Sequence, residues 1–590
     1  MQASASQASF LLPAAVAQLA ARCDTFRSLP DHAAAIGRSL GLSHGSRDLL
    51  RALAGLARSG LLVSERQLVR GWRRAADGTG SPGALATIGV PTRNRPGGLE
   101  RTVTSAIENA RAAGRALALV VVDDSDRPET RARGRSLLAK LAGRHRVEIR
   151  YAGPTEKVRF ARAMARAGGF PRELLEFALF DPERCGLAAG ANRNALLLDQ
   201  VGATFLAADD DTVCAPTAPP GQSGELAFSS IDPTETWYFA DSDAAARAQD
   251  SCRGDGEGAD LLGLHERLLG RDLGTCLEAL DASTLDLDGA LPSLLGRLEV
   301  GRGRVLVTGT GYFGDLGTED VLCYLAPDDA SRERLLRSGE GYRRLFRSRQ
   351  VLQCATRPTI TEPGVWRGPV MGYDARDLLP PYLPVLRGQN SLFGFAARVC
   401  LEEAYFACLP WAVPHAPARG RTLSPTVIPR RASGSALARL LMLVVDRFTP
   451  PPGAAAPRRM QALGQQLRDL GALPWPELAR ALEPLVWSWK SAEAQLLESQ
   501  LAKAGPGAPA HWIGDVETYL AALRRSIARA EVTLPYDLRG GRTPGEARAL
   551  TARLIRRFGE LLTAWPDLVA TARSLQRQGI RLAQPVVEVP

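Results

Sequence analysis

Three consecutive carboxylates, Asp209, Asp210 and Asp211, close an apolar run in the segment FLAADDDTV (205–213). Like charges crowded at the end of a buried strand repel, and burying them without compensation is costly. A hard divalent cation with oxygen ligands, Mn²⁺ or Mg²⁺, would relieve that repulsion. The plain alternative is a solvated acidic loop. A second acidic group, Asp123 and Asp124, ends the run ALALVVV (116–122). A third polar group, the loop PTRNRP, carries Pro91, Thr92, Asn94 and Arg95 behind LATIGV (85–90).

The elements that position these groups alternate. Leu85–Pro91 and Ala116–Val122 read as strands, the second apolar at every residue, as suits a strand covered on both faces. Val147–Tyr151 is a third strand and Phe205–Ala208 a fourth. Leu99–Ala113 and Ala188–Gln200 read as helices, the latter with Arg193 and Asn194 near its start. This rhythm predicts an α/β fold with a doubly wound, mostly parallel sheet. Ligands of such sheets bind at the carboxyl ends of the strands, where all three polar groups fall.

The set resembles a nucleotide-sugar glycosyltransferase of the large bacterial inverting, family 2-like group, with a GT-A fold. Pro91, Thr92, Asn94 and Arg95 match its first-strand loop. Val122, Asp123 and Asp124 match its second-strand ending, with Ser125 one place early. Gly190, Ala191, Arg193 and Asn194 match a helix start, and Asp209 and Asp211 match an Asp-x-Asp motif. The resemblance covers residues 84–215, and 300–421 more loosely. It implies metal ligation by Asp209 and Asp211, with Lewis-acid stabilisation of a departing nucleoside diphosphate. It implies donor contacts from Pro91, Thr92, Asn94, Arg95, Asp123, Asp124, Arg193, Asn194 and Asp210. A UDP-sugar is the default donor because it is common in the family.

Further on, Arg304–Thr308 reads as a strand and Gly309–Gly317 as a glycine-rich loop carrying Asp315. That loop lacks the Gly-Lys-Ser/Thr ending of a phosphate-binding P-loop. Pro380–Gly394 resembles a family segment whose acidic residue acts as base on the acceptor hydroxyl, but Gln389 and Asn390 stand there. An amide takes no proton at neutral pH. Asp315, Asp374 and Asp377 are the alternative bases. In LPWAVPHAPARGR (409–421), His415 is either a late metal ligand or a packed loop residue, and Arg419 and Arg421 meet phosphate or water.

The 590 residues suit several domains. We expect a helical or winged-helix-like module over 1–75, with a short strand at Gly60–Val63, and a linker at Ala76–Gly83. A catalytic domain over 84–430 carries an insertion at about 216–300, and a helical domain fills 431–590. Apolar residues make up 45% of the chain, and no run of 18 apolar residues indicates a membrane span. The start lacks a basic stretch before its apolar segment, so it does not read as a signal peptide. Nine scattered cysteines without Cys-x-x-Cys spacing point to a reducing cytoplasm rather than to zinc or a disulfide framework. A net charge of +10, mostly arginine, permits anionic partners without naming one. No basic block with interleaved aromatics appears, so nucleic acid is a minority reading. Expected partners are a nucleoside diphosphate sugar and an acceptor peptide, protein or saccharide. The C-terminal helices could support the catalytic domain or form a homodimer, and a non-catalytic nucleotide-sugar-binding scaffold is the alternative function.

Overall fold

A computed structural model describes residues 13–23, 26–41, 47–75, 83–253, 258–281, 284–337, 339–366, 368–418, 420–505, 507–528 and 533–587. Residues 1–12, most of the expected linker, Gly254, Asp255 and Arg419 lie outside the described residues.

Thirteen strands build one mixed sheet among the described residues. They are β1 (Thr87–Thr92), β2 (Ala118–Asp123), β3 (Glu148–Ala152), β4 (Thr204–Ala208), β5 (Leu226–Ser229), β6 (Glu235–Phe239), β7 (Leu285–Gly289), β8 (Arg304–Asp315), β9 (Gln350–Cys354), β10 (Thr359–Thr361), β11 (Val370–Asp374), β12 (Ala404–His415) and β13 (Gln584–Pro585). The order is β13-β3-β2-β1-β4-β11-β8-β12-β10-β5-β7, with β9 bridging β8 and β6. The β3-β2-β1-β4 portion is parallel, and β11 runs antiparallel between β4 and β8.

Continuous apolar character in these strands has a direct cause. Along β2, Val120 and Val122 enter one core while Leu119 and Val121 enter another. Along β4, Phe205 and Ala207 face the first core, Leu206 and Ala208 the second. Successive side chains alternate faces, so a strand with a core on each side has no polar position to spare. The first core also takes in Met460, Leu463, Leu467 and Phe558, so the C-terminal helices pack directly on the sheet. At the other end of the chain, Trp72 packs on Phe228 and donates to the Leu298 carbonyl at 2.7 Å.

Three sequence expectations change. Gly309–Gly317 is not a loop: β8 continues through it to Asp315. A Cβ at Gly311 would lie 2.2 Å from the Gln353 carbonyl oxygen, so glycine there permits the close approach of β9 rather than a turn. The proline-flanked His415 likewise ends a strand, β12, instead of sitting in a loop. Gly60–Val63 forms a turn and bend rather than a strand.

Candidate functional site

The end of β1 ties two of the polar groups together. Thr92 lies beside Asp123 in the parallel register of β1 and β2, and its carbonyl accepts from the Asp124 amide at 2.9 Å. Its hydroxyl donates to Asp210 Oδ2 at 2.8 Å. Arg95 donates to Asp210 Oδ1 at 2.9 Å and to Asp211 Oδ2 at 2.8 Å. Asn94 adopts φ 57°, a left-handed conformation that asparagine tolerates, and bonds Ser125 and Asp126 at the β2 end. The helix Pro96–Ala112 then abuts the triplet. A Cβ at Gly98 would lie 2.5 Å from the Asp210 carbonyl oxygen, and Thr102 donates to the Thr212 carbonyl at 2.7 Å.

Arginines supply the compensation that three adjacent carboxylates demand. Buried Arg193, on the helix Ala189–Asp199, donates to Asp209 Oδ1 at 2.8 Å and to the Tyr373 hydroxyl at 3.2 Å. Burial works against its charge, but Tyr373 and Asp209 hold it cationic. Loss of water pushes the Asp209 carboxyl up against the pull of Arg193. Burial also pushes Asp210 up to about 6, against Arg95 and Thr92. Asp211 goes the other way: burial opposes its charge, yet His415, Arg95 and Arg421 hold it at about 2.

The end of β12 crosses the triplet. The Ala416 amide donates to the Asp211 carbonyl at 2.8 Å, and the Val213 amide to the Pro414 carbonyl at 2.9 Å. His415 Nε2 thereby lies 3.2 Å from Asp211 Oδ1, while Nδ1 meets the Asp315 carbonyl oxygen at 2.6 Å. A carbonyl cannot donate, so Nδ1 carries the proton and Nε2 faces the carboxylate. Burial disfavours the imidazolium, but Asp211 and the Asp315 carbonyl raise its pKa above the ordinary value.

At the β2 end, Asp123 accepts from the Tyr151 hydroxyl at 2.9 Å and the Ser125 amide at 2.7 Å. Burial pushes Asp124 up, opposed by Lys157, whose fully buried Nζ lies 3.9 Å away and donates to Asn192 Oδ1 at 2.6 Å. Asp123, Arg193 and Asp211 therefore share one sheet rim.

Other predicted residues lie elsewhere or are engaged. Pro91 lies within β1 opposite Val122, and buried Asn194 spans Ala178 and the backbone of Tyr382. Asp315 reaches the rim through its carbonyl, but its buried carboxylate is held by Arg349 at 3.1 Å and Arg421 at 2.9 Å. Asp374 lies opposite Thr204, at the far end of β4 from the triplet, clamped by Arg376. Its expected role as base does not fit that position, because antiparallel β11 carries it away from the rim. Asp377 pairs with Arg304. Asn390 stands in the first turn of the helix Gln389–Cys400, its Oδ1 buried and without a hydrogen-bond partner. Sequence reasoning missed Arg349, Tyr373, Tyr382, Tyr151 and Lys157. Each acts through a partner distant in sequence, and only the strand-end location of Tyr151 was a usable signal.

Among the described residues, no group of three or more His, Cys, Asp or Glu side chains stands assembled as a metal site. The donor set nevertheless fits a hard divalent ion. Asp211 Oδ1 and His415 Nε2 converge, and the carbonyl on Nδ1 orients the ring as metal-ligating histidines require. The Arg95 side chain bridging Asp210 and Asp211 is 45% exposed. Its guanidinium stands where a cation is wanted.

The sequence matches no protein-family model and no curated protein. Among solved structures, the mannosyltransferase PcManGT from Pyrobaculum calidifontis, in complex with GDP-Man and Mn²⁺, aligns with a TM-score of 0.28 and 14% identity. The match covers 80% of this chain and 96% of that chain.

Proposed function

We propose that the chain is a metal-dependent glycosyltransferase that moves a sugar from a nucleoside diphosphate sugar, by default a UDP-sugar, to a peptide, protein or saccharide acceptor. One observation carries this reading: Asp123/Asp124 and the Asp209–Asp211/His415 group meet on one rim across Thr92. The nucleoside lies at the first group and its diphosphate at the second, along the carboxyl ends of the strands where ligands of such sheets bind.

Asp123 and Asp124 accept hydrogen bonds from the nucleoside. Asp209, Asp211 and His415 hold Mn²⁺ or Mg²⁺, which when bound neutralises charge on the leaving diphosphate. Arg95, released from the carboxylates, turns its guanidinium fork to phosphate oxygens. Arg193 orients Asp209 by donating to its Oδ1. Asp315 fixes the His415 tautomer through its carbonyl.

The test is diphosphate release from a panel of UDP-, GDP- and TDP-sugars with Mn²⁺. Asp211→Ala should abolish release; unchanged release would remove the metal role. A second reading, a nucleotide-sugar-binding scaffold, is favoured by the base position. Gln389 and Asn390 are amides, and Asp315, Asp374 and Asp377 are each held by arginine. Tight donor binding with no turnover for any donor would select it.

A further inference from the structure

One residue beyond Arg421, Thr422 lines a cavity of about 340 Å³ whose wall also carries Arg343, Arg344 and Arg347 of the helix Gly339–Ser348. Of these three, Arg344 pairs with Asp241 at 3.1 Å. Neither Arg343 nor Arg347 makes an ion pair among the described residues, although Asp515 lies near enough to feel the charge of Arg343. A second cavity, of about 460 Å³, is also lined by arginines, but it contains Glu266 and Glu278, and its Arg115 meets Glu266 at 2.8 Å. Its wall sets three arginines against two glutamates, whereas the wall of the first carries three arginines and no acidic residue.

The excess of positive charge continues from the cavity toward the rim. Arg421 spends one guanidinium nitrogen on Asp315, while its Nε is buried with no acceptor. Burial and the neighbouring Arg421, Arg95 and Arg431 all disfavour the charge of Arg387. Exposed guanidinium groups gathered on one wall attract an anion.

We propose that the Arg343–Arg347 cavity binds a phosphomonoester carried by the acceptor, so that the acceptor's tail is anchored there while its reacting end lies at the rim. This rests on the glycosyltransferase reading. A dianionic phosphate, with three terminal oxygens, matches several guanidinium forks better than a single carboxylate does. Two sources present that group: a lipid headgroup and a soluble sugar phosphate.

Binding of two probes to the full chain tests the proposal: glucose 6-phosphate, and phosphatidylcholine vesicles containing phosphatidic acid. Glucose and pure phosphatidylcholine vesicles serve as controls. Wild type should bind at least one phosphate probe and neither control, and the probe that binds identifies the source. The double variant Arg343→Gln/Arg347→Gln should weaken that binding at least about tenfold. Its acceptor-independent donor hydrolysis and thermal unfolding should match wild type. Absence of binding to both phosphate probes, or equal binding by the variant, overturns the proposal. Phosphate binding lost in the variant, in a wild type that hydrolyses no donor, instead supports the anion site and overturns the transferase reading.

Discussion

The Asp315 carbonyl fixes which nitrogen of His415 faces Asp211: Nδ1 meets it at 2.6 Å and Nε2 is left 3.2 Å from Asp211 Oδ1. Replacing the ring by one without nitrogen keeps its bulk and removes the ligand. His415→Phe should therefore raise the Mn²⁺ concentration needed for half-maximal diphosphate release by about 10- to 100-fold. Initial rates across a Mn²⁺ titration measure this, and an unchanged titration curve would show that His415 holds no metal.

Arg193 is buried between Asp209 and Tyr373, so its loss strands a half-buried carboxylate. Arg193→Met should lower unfolding stability by about 2 kcal/mol, below the range for fully buried pairs because Asp209 retains some solvent. Arg193→Lys restores charge without the fork and should recover only part of that loss. Urea denaturation of the three proteins decides the order.

Gly98 and Gly97 form a matched pair. A Cβ at Gly98 meets the Asp210 carbonyl oxygen at 2.5 Å, whereas one at Gly97 meets nothing within 4 Å. Gly98→Ala should cost about 1–3 kcal/mol and displace the triplet, reducing diphosphate release more than Gly97→Ala does. Equal behaviour of the two variants would mean that the helix Pro96–Ala112 does not constrain the site.

Burial pushes Lys490 down to about 8 from the ordinary 10.5, although it donates to the Ala432 carbonyl at 2.7 Å and to Ser526. The folded chain binds this proton less tightly than the unfolded chain. Its contribution is therefore least favourable below about pH 8 and improves as pH rises toward 10.5. The stability difference between wild type and Lys490→Met should shift in favour of wild type between pH 7.5 and 9.5, by roughly 1–2 kcal/mol. A difference that stays flat would contradict the depressed value. Urea midpoints at the two pH values provide the measurement.

The strands nearest the site were legible because two cores leave no polar position in Val120–Val122 or Phe205–Ala208. Their polar endings could then be read as a rim. What escaped the sequence was long-range compensation. Nothing near Asp315 foretells Arg349, which reaches it in a left-handed conformation at φ 59°. Nothing near Asp209 foretells Tyr373, which supports its partner Arg193 from an antiparallel strand. Glycine misled in the opposite direction: in GTGYFGDLG it serves the tight packing of neighbouring strands, which no turn statistic reveals. Asp374 looked available as a base because linear order does not disclose that β11 reverses direction.

The β3 edge of the sheet is sealed by β13, and the Ala583 amide bonds Asp199, 384 positions earlier, on the helix that begins just ahead of Arg193. During synthesis, β3 emerges long before its partner and presents bare amides and carbonyls in the interval. Assembly of this edge therefore waits for β13, made long after β3. Chaperone dependence in the cell should track the survival of that short C-terminal clasp more closely than any residue of the rim.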